Sequence, residues 1–474
     1  MQKKVFPLSD LGNSERFIAR HGDIIRYNPR MKAWLYWGGK QWSEDVGESE
    51  IFTKAKETVR AIGEEANIDP SLKLDILKHA NKSETMGKIG TMIKLSRSVP
   101  ELQVQLDQLD SDPWLLNCAN GTVDLRNGDL LPHDRQHLIT RMIRTPYNPE
   151  ATCPRFLQFL DEIMDGNENM VAFLQRVFGY ALTGSALEQA LFFLVGNGAN
   201  GKTTLIEALR RVFGIYCMHT PTATLIKNNM QIRNDIARLK GARMVTASEV
   251  TKGKSLDEAT TKMLTGEDPV TSRLLYKELF EYRPNFKIFL LANHLPEISG
   301  SDFGIWRRIV LIPFPVKFDG ENRDKNLQVK LAEEAPGILA WLVRGCIDWQ
   351  RDGLLIPTEV KVATERYKSE SDILPQFLAD SAALEKTSRV TSKVLYEAYR
   401  GWAAENTDDI LKQKAFGVLL KVAGFRPSKS DGVRFWNGLR LKPKAAQAVA
   451  TEVLEKPVID VSGVTPAQAG AAVH

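Results

Sequence analysis

The stretch that decides the fold is Leu191–Thr204, which reads LFFLVGNGANGKTT. Its apolar residues Leu191–Val195 predict a buried strand, and the pattern G-x-x-x-x-G-K-T follows directly over Gly196–Thr203. Apolar residues then recur at helical spacing. Glycines in such a loop let backbone N–H groups wrap phosphates at the positive end of a helix. The stretch therefore predicts a nucleotide-binding P-loop between a strand and a helix.

Each residue of this loop has an expected task. Lys202 is predicted to reach the β- and γ-phosphates of the nucleotide, and Thr203 to place its hydroxyl on Mg²⁺. ATP and Mg²⁺ are therefore the expected ligands. The residues expected to hold the nucleotide are Gly196, Asn197, Gly198, Ala199, Asn200, Gly201, Lys202, Thr203 and Thr204.

Three further apolar runs downstream alternate with helical patterns, which indicates an α/β sheet. They are Met244–Ala247, Ile288–Ala292 and Ile309–Ile312. Between the first two, Ser255-Leu256-Asp257-Glu258 matches a capping box, which predicts a helix that begins there and ends near Gly266.

Polar residues beside these runs are candidates for the chemistry. Glu249 could polarise the attacking water and hold the metal, although Ser248 stands where many such enzymes carry Asp; the alternative is a solvent-exposed carboxylate. Asn293 could hydrogen-bond the γ-phosphate or the water, or could be a turn residue. Arg307 and Arg308 could supply a finger to a neighbour's site, or lie on the surface.

Composition bounds the class of protein. At 474 residues and 53.2 kDa, with 43% hydrophobic residues, the chain predicts two to four folded domains. The net charge of +5 permits an anionic partner without requiring one. The four cysteines form no Cys-x-x-Cys pair, and the apolar runs are too short to span a bilayer. We expect a reduced, cytoplasmic protein with no membrane insertion.

The regions on either side of the sheet have their own patterns. Aromatic residues around Gly38-Gly39 and the turns around Thr122–Leu125 predict strand hairpins, and helical spacing covers Glu48–Lys94. Two amphipathic helices precede the P-loop. Downstream, the helical patterns Leu374–Leu384, Lys393–Asn406 and Gln413–Ala423 before the strand-like Val433–Leu441 suggest a winged helix.

In this order the motifs resemble those of superfamily 3 helicases. The resemblance is to the helicase part of the phage and plasmid primase–helicase family, which includes the poxvirus primase–helicase. Further matching residues look like the family's collar region before the ATPase. They are Asn117–Leu125 (NCANGTVDL), Tyr147-Asn148-Pro149, Ala151, Cys153-Pro154 and Phe156.

The resemblance implies roles for several residues. Asn293, in Asn293-His294-Leu295-Pro296, matches the sensor motif, and the finger falls at Arg307 or Arg308, with Arg308 favoured. By the same resemblance, the segment after Thr265-Gly266-Glu267 carries a channel hairpin. Its residues expected to contact DNA are Arg273, Tyr276 and Lys277; a solvated helix end is the alternative.

The resemblance also implies an architecture. The expected fold is α/β, with a P-loop AAA+-like ATPase core, an N-terminal α+β and helical collar region, and a C-terminal winged-helix-like domain. The expected boundaries are 1–100 for the N-terminal α+β region, 101–185 for the collar, 186–345 for the ATPase core, 346–374 for a helical connector, 375–444 for the winged helix and 445–474 for a mobile tail.

The implied activity is ATP-dependent unwinding of DNA by a homo-oligomeric ring, expected to be a hexamer, that moves on single-stranded and forked DNA. About a hundred residues before the collar, without a zinc-type Cys/His cluster, predict no primer synthesis, so a primase would be a separate chain. If the chain is phage-encoded, the host cytoplasm is the expected location. The alternatives are an ATP-regulated, DNA-binding replication initiator without processive unwinding, and a small-molecule kinase.

Overall fold

The computed structural model describes residues 5–227, 234–248, 253–273, 279–298, 303–318, 324–371, 373–406 and 410–443. The chain divides into two compact units. The first comprises Met1–Val250, Ala259–Leu295 and Arg307–Thr364, and the second comprises Thr251–Glu258, Pro296–Trp306 and Glu365–His474. Glu249, Tyr276, Lys277 and the predicted tail 445–474 lie outside the described residues.

The described residues form α-helices and β-strands with the following bounds. The helices are α1 (Asp10–His21), α2 (Ser49–Arg60), α3 (Lys73–Ser83), α4 (Met86–Ser96), α5 (Pro154–Ile163), α6 (Glu168–Leu182), α7 (Lys202–Phe213), α8 (Asn234–Ala237), α9 (Glu258–Thr265), α10 (Phe303–Trp306), α11 (Leu327–Glu333), α12 (Ala335–Asp352), α13 (Thr358–Ser371), α14 (Ile373–Ser381), α15 (Ser392–Asn406) and α16 (Gln413–Val422). The strands are β1 (Ile25–Asn28), β2 (Ala33–Trp37), β3 (Trp42–Glu44), β4 (Leu115–Cys118), β5 (Gly121–Asp124), β6 (Asp129–Leu131), β7 (Leu191–Val195), β8 (Cys217–His219), β9 (Met244–Ser248), β10 (Val270–Arg273), β11 (Leu279–Tyr282), β12 (Lys287–Ala292), β13 (Ile309–Pro313), β14 (Ala382–Thr391), β15 (Pro427–Ser430) and β16 (Val433–Leu441).

A five-stranded parallel sheet organises the first unit, with strand order β13-β7-β12-β9-β8. The four apolar runs are confirmed as β7, β9, β12 and β13. Their side chains are almost wholly buried, as expected for a parallel sheet covered on both faces. Since β12 pairs with both β7 and β9, the carboxyl ends of these three strands lie side by side.

Aromatic stacking fixes the sheet against the helix that precedes it. The Phe289 ring on β12 stacks on Phe192 of β7 and on Phe178 of α6, with ring centroids 5.0 Å apart in both pairs. Helices α6, α7 and α12 contribute buried side chains to the same hydrophobic core. These helices and the sheet therefore share one core, which holds the strand ends in place.

Two buried cations lie at the opposite, amino ends of the strands. Arg243 precedes β9 and donates to Leu182 O and Leu115 O, both at 2.6 Å, while its guanidinium covers the Tyr216 ring. Lys287 begins β12 and donates to the carbonyls of Thr183 and Ser185. Burial lowers the pKa of Lys287 well below its ordinary value. The two cations thus join the sheet to residues that precede it in the chain.

The N-terminal region combines small sheets with helices. The predicted hairpin around Gly38-Gly39 is confirmed as β2 and β3, with β1 added, and the turns around Thr122–Leu125 connect the antiparallel strands β4, β5 and β6. The helical spacing of Glu48–Lys94 is confirmed by α2, α3 and α4, and the two helices before the P-loop are α5 and α6.

In the second unit, α14, β14, α15, α16, β15 and β16 follow one another, and the sheet order is β14-β16-β15. The predicted helix Leu374–Leu384 ends earlier, at Ser381, because Ala382–Leu384 pairs with β16. The helix predicted from the capping box also begins later than expected. Helix α9 begins at Glu258, since Ser255 forms a bridge with Glu297, although the helix ends beside Gly266 as predicted.

Two further observations concern the chain as a whole. No helix in the described part has the length and apolar character needed to cross a membrane. All four cysteines are free thiols; Cys118, Cys153 and Cys346 are buried and Cys217 is half-buried.

Candidate nucleotide site

The backbone of the P-loop takes conformations that favour glycine. Gly198, Ala199 and Gly201 have φ angles of +72°, +46° and +85°. A Cβ on Gly201 would lie 2.4 Å from Ile163 Cγ2, so only glycine fits both the angle and the space. A glycine-rich turn directly before a helix, as here before α7, can present backbone N–H groups to an anion.

Asn200 packs against the first glycine of the loop. A Cβ on Gly196 would lie 2.1 Å from Asn200 Nδ2 and 2.8 Å from the backbone oxygen of Phe314, so any larger residue would force its neighbours to shift. Asn200 is only 4% exposed, and its Nδ2 has no hydrogen-bond partner among the described residues. A buried amide donor without a partner is costly, and an anionic oxygen in the loop would satisfy it. The loop therefore fits a polyphosphate.

Lys202 joins the P-loop to the third predicted motif. Its Nζ donates to Gly196 O at 2.5 Å and to Asn293 Oδ1 at 3.3 Å. The pairing follows from the sheet order, because Asn293 follows β12 directly and β12 is the neighbour of β7. Burial lowers the pKa of Lys202 to about 8.

A cavity of about 320 Å³ lies at these strand ends. Its lining includes the predicted residues Lys202, Thr203 and Asn293 together with Ser248. Six residues that the sequence analysis did not assign to the site also line it: Ile206, Glu207 and Arg210 on α7, His219 on β8, Thr246 on β9 and Leu291 on β12. His219 Nδ1 and Thr246 Oγ1 are 3.3 Å apart. Strand β8, with three residues, has no periodicity that could have revealed His219.

The predicted metal residues are only partly described. Thr203 is exposed and lines the cavity, where its hydroxyl is available to a cation. Exposed Ser248 ends β9, and its carbonyl accepts a hydrogen bond from the Thr222 hydroxyl. Glu249 follows Ser248 in the chain but lies outside the described residues. A hydroxyl ligand suits Mg²⁺, which takes one or two protein ligands and completes its shell with water and phosphate oxygens.

The two candidate finger arginines differ in exposure. Arg307 is exposed and Arg308 is 8% exposed, and both donate to Gln189 Oε1, at 3.0 and 3.1 Å. Both precede β13, whose first residue, Ile309, pairs with Leu191 at the amino end of β7. The structure therefore places them at the opposite end of the strands from Lys202.

The predicted DNA-contact segment falls on an antiparallel strand pair. Strands β10 and β11 pair from Val270↔Tyr282 to Arg273↔Leu279, so Arg273 is the last residue of β10. Tyr276 and Lys277 lie between these strands in sequence, outside the described residues. Their proposed contact with DNA remains a prediction.

Comparison with known families gives two matches. Residues 14–165 match the family described as D5 N terminal like. Residues 194–308 match a family of unknown function (DUF5906), and this span runs from the end of β7 through Lys202 and Asn293 to Arg308.

Similar proteins occur in large DNA viruses and a virophage. "Putative helicase L207/L206" of Acanthamoeba polyphaga mimivirus is 29% identical over 328 residues, which cover 64% of this chain and 34% of that protein. "Putative helicase 022R" of Frog virus 3 is 26% identical and is matched over 54% of this chain and 28% of its own length. "Putative helicase V13" of Sputnik virophage is 24% identical, over 55% of this chain and 36% of its own length. The chain thus spans about a third of the length of these relatives.

Among solved structures, the apo C-terminal region of NrS-1 aligns with 91% of this chain and 99% of its own, at 12% identity and a TM-score of 0.49.

Proposed function

On the premise that this chain is related to the helicase part of the phage and viral primase–helicases, we propose that it is an ATP-dependent DNA helicase. The observation that carries the proposal is the contact between Lys202 and Asn293 at the carboxyl ends of neighbouring strands. A P-loop that only bound nucleotide would not need a polar amide at the γ-phosphate end of its lysine. ATP hydrolysis does need such an amide, because the attacking water must be oriented.

Within this proposal each residue has one task. The backbone of residues 196–201 cradles the phosphates, and Lys202 exchanges its bond to Gly196 O for phosphate oxygens. The Thr203 hydroxyl and the Glu249 carboxylate hold Mg²⁺, which when bound neutralises charge on the phosphates. Glu249 polarises the attacking water, and Asn293 orients it.

A further positive charge, which stabilises the phosphates during hydrolysis, would come from an arginine of a neighbouring subunit. Strand β7 has five residues and therefore spans about 16 Å, which separates an arginine before β13 from the P-loop of its own chain. We place the finger at Arg307 rather than Arg308, because Arg307 is exposed and can reach outward. Repetition of this contact in one direction closes a ring, for which we propose six subunits. Arg273, Tyr276 and Lys277 would face single-stranded DNA in its channel.

The proposal is tested with purified protein, Mg²⁺-ATP and a forked DNA duplex. We expect ATP hydrolysis and strand displacement, and Lys202→Ala should reduce both to background. Lys94→Ala, which removes an exposed lysine on α4, is the matched control and should match the wild type. Hydrolysis without strand displacement at any salt concentration would exclude the helicase.

A second candidate is an initiator that binds duplex DNA under ATP control without processive unwinding. The excess of basic residues in 410–443 favours it. Its expected result is sequence-specific retention of duplex DNA by Glu249→Ala protein, together with no strand displacement by the wild type.

A further inference from the structure

The second unit ends in a domain whose element order is α14-β14-α15-α16-β15-β16. Helix α16 is held through its buried face, where Phe416 stacks on Tyr399 of α15 with centroids 4.3 Å apart and Leu420 is fully buried. Strands β15 and β16 form an antiparallel hairpin with Asp431 and Gly432 at its turn. A helix pair followed by a hairpin leaves one face of the second helix and the hairpin open to solvent.

The charge of this part of the chain is strongly one-sided. Residues 410–443 contain eight lysines and arginines and one acidic residue, Asp431. All eight basic side chains are exposed. Arg440 pairs with Glu385. The others form no ion pair within the described part of the chain; they are Lys412, Lys414, Lys421, Arg426, Lys429, Arg434 and Lys442.

The register of the hairpin sharpens this observation. Lys429 and Arg434 are directly opposite each other on β15 and β16. Two like charges at a cross-strand pair destabilise a hairpin. On the open face of α16, Lys414, Val418 and Lys421 are exposed at helical spacing, opposite Phe416 and Leu420. Helix and hairpin together therefore present repelling cations that a polyanion would relieve.

The exposed chemistry distinguishes duplex from single-stranded nucleic acid. Binding of single strands relies on aromatic side chains on which bases stack. In residues 410–443 the large exposed hydrophobic side chains are Ile410, Val418 and Val433, none of them aromatic. Helix α16 has ten residues, which gives a length of about 15 Å and a width suited to the major groove of B-DNA.

We propose that this domain is a separate duplex-DNA site, with α16 in the major groove and the β15–β16 hairpin on the adjacent sugar–phosphate backbone. Lys414, near the first turn of α16, faces base edges and Lys421 faces phosphate. Lys429 and Arg434 bind phosphates. The site needs no nucleotide, so it goes beyond the proposed helicase activity and does not depend on it.

The first experiment measures binding of a fluorescent 20-base-pair duplex by the full chain, without nucleotide, at several salt concentrations. The double variant Lys414→Glu/Lys421→Glu should bind at least about tenfold more weakly. The slope of log affinity against log salt should become shallower by about one, because Lys421 is the phosphate contact of this pair. Lys56→Glu/Lys361→Glu removes two exposed helical lysines elsewhere and changes the net charge equally. Equal duplex affinity of the two double variants would overturn the proposal.

A hairpin variant keeps the test decisive even if the helix variant misfolds. Lys429→Glu converts the repelling pair with Arg434 into an attractive one, so it should raise the melting temperature while it weakens duplex binding. Unchanged duplex affinity, or loss of single-strand binding alone, would contradict the assignment. Lys202→Ala protein should retain wild-type duplex affinity. Failure of ATP hydrolysis with intact duplex binding would therefore count against the helicase and not against this site.

Discussion

At the scale of single residues, Lys202 is the side chain whose environment has the most direct consequence. Its pKa of about 8 in the ligand-free protein lies below the ordinary 10.5 because burial disfavours the charged amine. The unfolded chain then binds more protons between pH 8 and 10.5, so the contribution of Lys202 to stability rises with pH over this window. Phosphates bound in the loop would favour the charged form of the Lys202 amine and so raise its pKa.

We therefore predict that ATP binding takes up a proton above pH 8. The affinity for ATP should fall by up to about tenfold per pH unit above that value. Titration calorimetry at pH 7 and pH 8.5, in buffers with different ionisation enthalpies, measures the uptake. Arg307→Ala protein, in which Lys202 is unchanged, should show the same uptake. Binding at pH 8.5 without proton uptake would contradict this prediction.

A site residue could be predicted from the sequence where a local motif marks it, and could not where only the fold brings it to the site. Lys202 and Asn293 were identified because each belongs to a recognisable motif downstream of an apolar strand, and the structure brings them into contact. His219 and Thr246 could not be identified, because only the three-dimensional pairing of β8 with β9 brings them to the cavity. The exposures of Arg307 and Arg308 depend on packing that a basic doublet does not encode.

At the scale of elements, the contact between α6 and α12 depends on glycine. A Cβ on Gly345 would lie 2.1 Å from Gln175 O, and a Cβ on Gly179 would lie 2.2 Å from Cys346 N. Both obstacles are backbone atoms, which cannot rotate away as a flexible side chain can. The two helices therefore approach each other more closely than any larger residue would permit.

We predict that Gly345→Ala lowers the free energy of unfolding by about 1–3 kcal/mol, because overpacking outweighs the better helix propensity of alanine. Denaturant unfolding followed by tryptophan fluorescence measures the change. Gly90→Ala in α4 is the matched control, since no atom lies within 4 Å of the added Cβ. Its free energy of unfolding should rise by up to about 1 kcal/mol. The idea fails if both variants are equally stable.

Helices and strands could be predicted where their hydrophobic pattern was long and where pairing with a distant strand did not change the conformation. The buried strands of the parallel sheet are continuous apolar runs, which the sequence displays directly. Strand β14 was partly read as helix, because Ala382–Leu384 continues the apolar pattern of α14 and only its pairing with β16 makes it extended. Ser255 was interpreted as a helix cap for the same reason, because it forms a bridge with Glu297, which is distant in the sequence.

At the scale of the whole molecule, the strand order supports the proposal that the active site is shared between subunits. Lys202 and Asn293 lie at one end of the sheet strands and Arg307 precedes the other end. Under the proposed Arg307 finger, a single chain would supply two incomplete halves, and each half would be complemented by a different copy.

We predict that Lys202→Ala and Arg307→Ala proteins are each inactive in ATP hydrolysis and regain activity when mixed. At equal amounts and random order in a ring, about a quarter of the interfaces combine an intact Lys202 with an intact Arg307, so about a quarter of the wild-type rate should return. A mixture of Lys202→Ala with Asn293→Ala is the control. It should stay inactive, because both residues belong to the same half of the site. Equal rates in the two mixtures would rule out the shared site.

The buried cations at the amino ends of β9 and β12 bear on how the protein can be divided. Every acceptor described for Arg243 and Lys287 belongs to a residue before 186: Leu115, Leu182, Thr183 and Ser185. A recombinant fragment that starts at 186 would retain both buried side chains and lose all of these acceptors, and buried polar groups left without partners are strongly destabilising. Such a fragment should be recovered as insoluble protein, whereas one that starts at 101 should purify as a folded ATP-binding unit.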